Sequence, residues 1–315
     1  MNEPNVMVYL MTGFLDSGKT QFLKFTLEQD YFQIDGKTLL ILCEEGEEEY
    51  DPMEMLRYGV VIERLEDQED LTEEWLEEMD RKHEPERVVI EYNGMWKVSD
   101  FENMKLPEGW AIEQKLTTVD ASTFQMYLAN LKPLFVEMVR DAELVLFNRC
   151  EDMKPLAGYR RSVKVVSPQA EVIFEDENGE IENIFEDDVP YDLKAPVIEI
   201  AKEDYGIWYV DMMENPDRYK GKVVEFTAKV LKPKSFPSKV FLPGRMAMTC
   251  CADDTSFLGY VCRSPYAPKL KPGDWVKVRA RVRFANLSVY RGEGPVLEAE
   301  NVEPAGPIEE LVYFN

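Results

Sequence analysis

The chain has 315 residues, 45% apolar and 11% aromatic, enough for two packed domains and too apolar for a disordered chain despite 31% charged residues. Its 61 Asp and Glu against 36 Lys and Arg leave a formal net charge of −25, which as a whole repels nucleic acid and anionic membranes. No stretch approaches the ~18–20 apolar residues of a membrane span, and five irregularly spaced cysteines argue against a disulfide framework and for a reducing cytoplasm.

The apolar run 6–11 reads as the first strand and not as a signal peptide, because Glu3 precedes it and a glycine loop ends it. Residues 19–29 read as a helix, 38–42 as a buried strand, 71–81 as an acidic helix and 87–90 as another apolar strand. A strand over 116–119, helices over 123–140 interrupted at Pro133, and a strand over 144–147 follow. This alternation predicts an α/β fold: a mainly parallel sheet with helices on both faces. Strands 171–174 and 181–184, joined through Asn178-Gly179, predict a closing hairpin. The segment 189–196, with two prolines, reads as a linker between domains at 1–190 and 197–315.

The second half predicts a short helix over 207–214 that stops before Asn215-Pro216. Strands follow over 223–231, 239–242, 246–251, 257–263, 274–284 and 296–302. Within 275–284, Val276, Val278, Ala280, Val282 and Phe284 alternate with Lys277, Arg279, Arg281 and Arg283, an apolar face and a basic one. The pattern predicts a small antiparallel barrel of the OB type. Charge divides with the domains. Residues 220–291 hold fifteen basic residues against four acidic ones, a local net of +11, whereas residues 1–219 carry −30.

Gly13-Phe14-Leu15-Asp16-Ser17-Gly18-Lys19-Thr20 fits G-x-x-x-x-G-K-[ST] after an apolar strand and at a helix start, the context that motif requires. Backbone N–H groups there surround a β-phosphate, Lys19 neutralises β/γ charge and Thr20 offers a hydroxyl to Mg²⁺. Glu91-Tyr92-Asn93-Gly94, Asn148-Arg149-Cys150-Glu151 and Cys43-Glu44-Glu45-Gly46-Glu47 each follow a predicted strand, at the edge where open α/β sheets bind ligands.

With Val119-Asp120-Ala121, these segments resemble the CobW/HypB/UreG-type P-loop GTPases, in particular the CobW-like metallochaperone branch, over roughly residues 5–185. The resemblance implies GTP, with ATP as the alternative, Mg²⁺, slow hydrolysis, nucleotide-linked dimerisation and transfer of Zn²⁺ or another transition metal to a metalloprotein client. It assigns catalysis to Lys19, Thr20 and Glu91, and nucleotide contacts to Gly13, Ser17, Gly18, Lys19, Thr20, Gly94, Asn148 and Glu151; Asp16, which the family does not share, is a further catalytic and nucleotide-contact candidate that would hold Mg²⁺ or position water, or else weaken binding. Thr20, Glu44, Glu47 and Glu91 are the oxygen ligands it suggests for a divalent ion. Three departures stand out. The family's C-x-C-C metal motif is missing near residues 65–68, Asp16 replaces a small residue, and Arg149 and Glu151 replace Lys and Asp of the base-reading motif.

In the second half, Cys250 or Cys251 beside Cys262, with Asp253 or Asp254, would give a three-ligand metal site, whereas such cysteines are more often core. The basic strand face suggests a protein partner or, less so, single-stranded nucleic acid. Residues 205–303 resemble the C-terminal domain of YcgQ-like proteins, which implies a permease-associated partner. Besides the GTPase, a non-enzymatic, nucleotide-sensing adaptor fits these features. His83 and the acidic run 63–80 read as exposed and structural, the run as a solvated helix face.

Overall fold

The structure is a computed structural model that describes residues 5–151, 156–181, 184, 189–248, 255–290, 292–308 and 310–312. It divides into two compact units, residues 1–184 and 185–315.

The first unit is an eight-stranded sheet of β1 (Val6–Thr12), β2 (Thr38–Leu42), β3 (Val60–Arg64), β4 (Arg87–Glu91), β5 (Trp110–Asp120), β6 (Leu144–Asn148), β7 (Glu171–Asp176) and β8 (Gly179–Glu180). The order is β3-β2-β4-β1-β5-β6-β7-β8, parallel throughout except for the final β7–β8 hairpin. Helices α1 (Lys19–Glu28), α2 (Pro52–Met55), α3 (Glu73–His83), α4 (Val98–Glu102), α5 (Phe124–Asn130), α6 (Lys132–Val139) and α7 (Leu156–Lys164) connect the strands. The sequence TLLIL of β2 is buried at every residue. Leu39 and Ile41 join one core and Leu40 and Leu42 another, so successive side chains enter cores on opposite faces. A strand covered on both sides needs such an uninterrupted apolar run.

The sequence pattern does not predict β3, an edge strand whose Glu63 and Arg64 fall in the acidic run and hide its apolar start. That run is therefore no single helix face. Only Glu73 onward is α3, capped by the Thr72 hydroxyl, which accepts from the Trp75 N–H at 3.1 Å. His83 is largely buried, not exposed: its Nε2 lies 2.7 Å from Glu63 Oε1. Strand β5 starts six residues earlier than its apolar stretch, extending past polar residues along β1.

The second unit opens with β9 (Ile198–Glu199) and α8 (Tyr205–Glu214). Strands β10 (Val223–Leu231), β11 (Val240–Met248), β12 (Thr255–Gly259), β13 (Val261–Arg263), β14 (Trp275–Leu287) and β15 (Gly292–Pro304) follow. Five of them close a barrel in the order β10-β11-β13-β15-β14 and back to β10, with β9 and β12 attached outside. The ring is antiparallel except for the parallel β13–β15 pair, the topology of an OB barrel. The expected strand 239–242 and the start of 246–251, as far as Met248, form one strand running through Pro243-Gly244, residues 249–251 lying outside the described residues, and 257–263 is broken at Tyr260. Val276, Val278, Ala280 and Val282 are buried as the alternation requires, and Phe284 is half-buried. Trp208 of α8 plugs the core against Phe226 and Tyr260. Tyr191 and Leu193, from the segment expected as a linker, pack on this same core. Tyr191 also hydrogen bonds to Tyr219 at 2.7 Å. Among the described residues, no helix is long and apolar enough to cross a membrane.

Candidate nucleotide site

Strand β1 sits between β4 and β5, with Met11 beside Glu91 and Thr12 beside Thr117. The loop after β1 and the segment after β4 therefore emerge side by side at the C-terminal edge of the sheet, where an open α/β fold forms its crevice. The loop 13–20 needs three left-handed backbones: Gly13 at φ 143°, Asp16 at φ 58° and Gly18 at φ 92°. A Cβ at Gly13 would fall 2.5 Å from the Thr118 carbonyl, and one at Gly18 would fall 2.6 Å from Asn148 Nδ2. Asp is among the few non-glycine residues that tolerate this region, which is how it stands in for the family's small residue at position 16.

Among the described residues, the N–H groups of Leu15, Asp16, Gly18, Lys19 and Thr20 meet no protein acceptor. This row of free donors at the start of a ten-residue helix fits a polyphosphate. Lys19 is buried at 3% exposure; its Nζ donates to the Gly13 carbonyl at 2.8 Å and the Phe14 carbonyl at 2.9 Å, and pairs with Glu44. The Thr20 hydroxyl donates to Glu91 Oε1 at 2.7 Å, and the Tyr50 hydroxyl donates to Glu91 Oε2 at 2.6 Å. Burial pushes the Glu91 carboxyl above its usual range, while the two hydroxyls and the Lys19 charge hold it down.

A cavity of about 140 Å³ is lined by Lys19, Thr20 and Arg149 and by the carboxylates of Asp16, Glu44, Glu47, Glu48 and Glu91. Five carboxylates against two cations make it a poor site for a bare polyanion. Hard oxygen ligands beside a phosphate loop suit Mg²⁺ instead, so the residues fit a nucleotide accompanied by that ion. Glu44 is already engaged with Lys19 and the Gly94 N–H, and Glu47 is exposed at the cavity. Among the described residues, no three carboxylate, thiol or imidazole groups gather as a ready-made metal cage.

The base-motif segment braces the loop. Asn148 Nδ2 donates to the Ser17 carbonyl at 2.8 Å, and its buried Oδ1 has no partner among the described residues. Arg149 donates to the Asp16 carbonyl at 2.9 Å and pairs with Asp120 at 2.6 Å. Glu151 is exposed just beyond. Sequence reasoning missed Tyr50, hidden in an acidic loop, and the bracing role of Arg149, whose only signal was its departure from Lys. Cys43 and Cys150 are buried, which pushes both thiols up, Cys150 to about 12, so neither offers a ready thiolate.

In the barrel, Cys262 points into the core, where burial pushes its thiol up; Cys250, Cys251, Asp253 and Asp254 lie outside the described residues. The basic face of β14 is largely offset within its own unit, four cations against three carboxylates. Lys277 and Arg279 pair with Glu225, Arg281 with Glu300 and Arg283 with Glu298. Little of that stripe's charge is left over for a polyanion.

The family described as CobW/HypB/UreG, nucleotide-binding domain, matches residues 7–174, and that described as DUF1980 C-terminal domain matches residues 178–314. No curated protein gives a significant match. Among solved structures, the hydrogenase maturation factor HypB from Archaeoglobus fulgidus is similar at 19% identity, over 56% of this chain and 83% of that one, with a TM-score of 0.40. The Zn(II)-bound YjiA GTPase from E. coli is similar at 19% identity, over 84% and 91%, with a TM-score of 0.42. A Zn(II)-bound triple mutant of YjiA aligns at 17% identity over 82% and 89%, with a TM-score of 0.43.

Proposed function

The chain belongs to the CobW/HypB/UreG family through its nucleotide-binding domain, and from that premise we propose that it binds GTP with Mg²⁺, hydrolyses it slowly, and works in metal homeostasis or metallocentre assembly. The observation that carries this reading is that, among the described residues, the N–H groups of Leu15, Asp16, Gly18, Lys19 and Thr20 are free, beside buried Lys19 and the Thr20–Glu91 oxygen pair. In it the loop amides wrap the phosphates, and Lys19 shares their charge. Thr20 and Glu91 would hold a magnesium ion, which when bound would offset part of the phosphate charge. Asn148 holds the loop to the base-reading segment, and Glu151 accepts from the guanine edge. The missing C-x-C-C motif and the buried Cys43 and Cys150 leave thiolate capture in this unit unsupported, so a metal would have to be bound elsewhere or by a client.

Calorimetric titration of the purified chain with GTP and ATP, with and without Zn²⁺, tests the proposal alongside phosphate release. The reading expects GTP to bind more tightly than ATP and hydrolysis to rise with metal or client. Equal affinities with no phosphate release under any condition would favour the non-enzymatic adaptor.

A further inference from the structure

Glu44 occupies a peculiar position. One carboxylate oxygen pairs with Lys19 Nζ, and the other accepts from the Gly94 N–H at 3.1 Å. The side chain is 9% exposed, against 2% for Lys19. Gly94 itself is pressed on the phosphate loop, since a Cβ there would fall 2.5 Å from the Gly13 carbonyl and 2.7 Å from Phe14 Cα. The carboxylate thus bridges an ammonium rising from the loop and an amide facing it from the segment after β4. Those two donors, on opposite sides, are what a terminal phosphate at the end of this loop would need.

We propose that Glu44 sits where the terminal phosphate goes, so that it determines how the site discriminates a nucleoside triphosphate from a diphosphate. The proposal rests on the nucleotide-binding reading above. A diphosphate ends before this position and leaves the Glu44 contacts intact. A triphosphate brings further negative charge into a pocket that already holds Glu44 and Glu91, and it competes for the same two donors, so Glu44 must leave. The segment 43–50 is built to respond. Glu44 tethers one end to Lys19 and Gly94, Tyr50 tethers the other to Glu91, and the exposed Gly46 lies between. Expelling Glu44 therefore exchanges a contact inside the site for a moved loop outside it.

The test is binding of GDP and of a non-hydrolysable GTP analogue, both with Mg²⁺, to wild type, Glu44→Gln and Glu44→Ala. Glu44→Gln keeps the size and one acceptor but removes the competing charge. The expected result is that both variants favour the triphosphate over the diphosphate about tenfold more than wild type does, equivalent to about 1.4 kcal/mol, with GDP affinity changed less than threefold. An unchanged ratio overturns the proposal. So does weaker triphosphate binding in both variants, which would make Glu44 a ligand of the accompanying cation. Wild type binding neither nucleotide would defeat the nucleotide-binding reading itself, a result distinct from wild-type binding that Glu44 does not alter.

Discussion

Gly94→Ala probes the joint between the phosphate loop and the segment after β4. The added Cβ would meet the Gly13 carbonyl at 2.5 Å and Phe14 Cα at 2.7 Å, both backbone atoms unable to rotate away. Ordinary carbon contacts need about 3.5 Å, so the two segments must part by most of an ångström. Overpacking of this kind costs about 1–3 kcal/mol, and in a unit of 184 residues that lowers the melting temperature by about 2–12 °C. The displacement falls on the loop proposed to wrap the phosphates and on the amide that Glu44 contacts, so triphosphate affinity should drop at least about tenfold. Thermal melts and nucleotide titrations of Gly94→Ala would be compared with Gly306→Ala, where the new methyl meets open space. A Gly94→Ala protein that melts and binds like both wild type and this control would refute the packing argument.

Two further outcomes follow from titrating groups. Tyr50→Phe removes a hydroxyl that holds the buried Glu91 carboxyl down. A hydrogen bond to a charged acceptor is worth about 1.5–3 kcal/mol, so the pH midpoint of magnesium-dependent nucleotide binding should move up by about one unit or more. Because folded Glu91 keeps its proton more tightly than the unfolded chain, its contribution to stability falls as pH rises through that window; in Tyr50→Phe the fall extends higher, and superimposable profiles would contradict this. Glu225 behaves oppositely. Burial pushes its carboxyl up, but hydrogen bonds from Lys277 and Arg279 outweigh it and hold it below the usual range. Glu225→Gln should therefore melt below wild type at neutral pH, and the gap should close as pH falls through the depressed value; a gap constant with pH would show that the charge is irrelevant.

The alternation of apolar runs and helices made the parallel sheet legible because β2 and β4, buried on both faces, carry apolar runs at their centres, Leu39 to Leu42 and Val88 to Ile90. Edge strand β3 was illegible for the converse reason: half-exposed, it mixes charges with its apolar residues. In the barrel, the alternation of β14 gave away its two faces, but not that Glu225, Glu298 and Glu300 from neighbouring strands largely offset the basic one. Lys19 and Thr20 could be read from spacing alone, since the phosphate loop is local in sequence. Glu44 against Lys19, Tyr50 against Glu91 and Arg149 against the Asp16 carbonyl are joined only by the fold, across 25 to 133 positions. No local pattern encodes such contacts.

The proposed activity requires the start of α1 to bind a magnesium-bound polyphosphate. Calorimetry of GTP binding to wild type and Lys19→Ala, each with Mg²⁺ and with chelator, is the decisive check. Wild type should bind only with Mg²⁺, because five carboxylates face two cations in the cavity, and Lys19→Ala should lose at least about a hundredfold in affinity. Equal affinity with and without the ion, or in the presence and absence of the Lys19 ammonium, would contradict it.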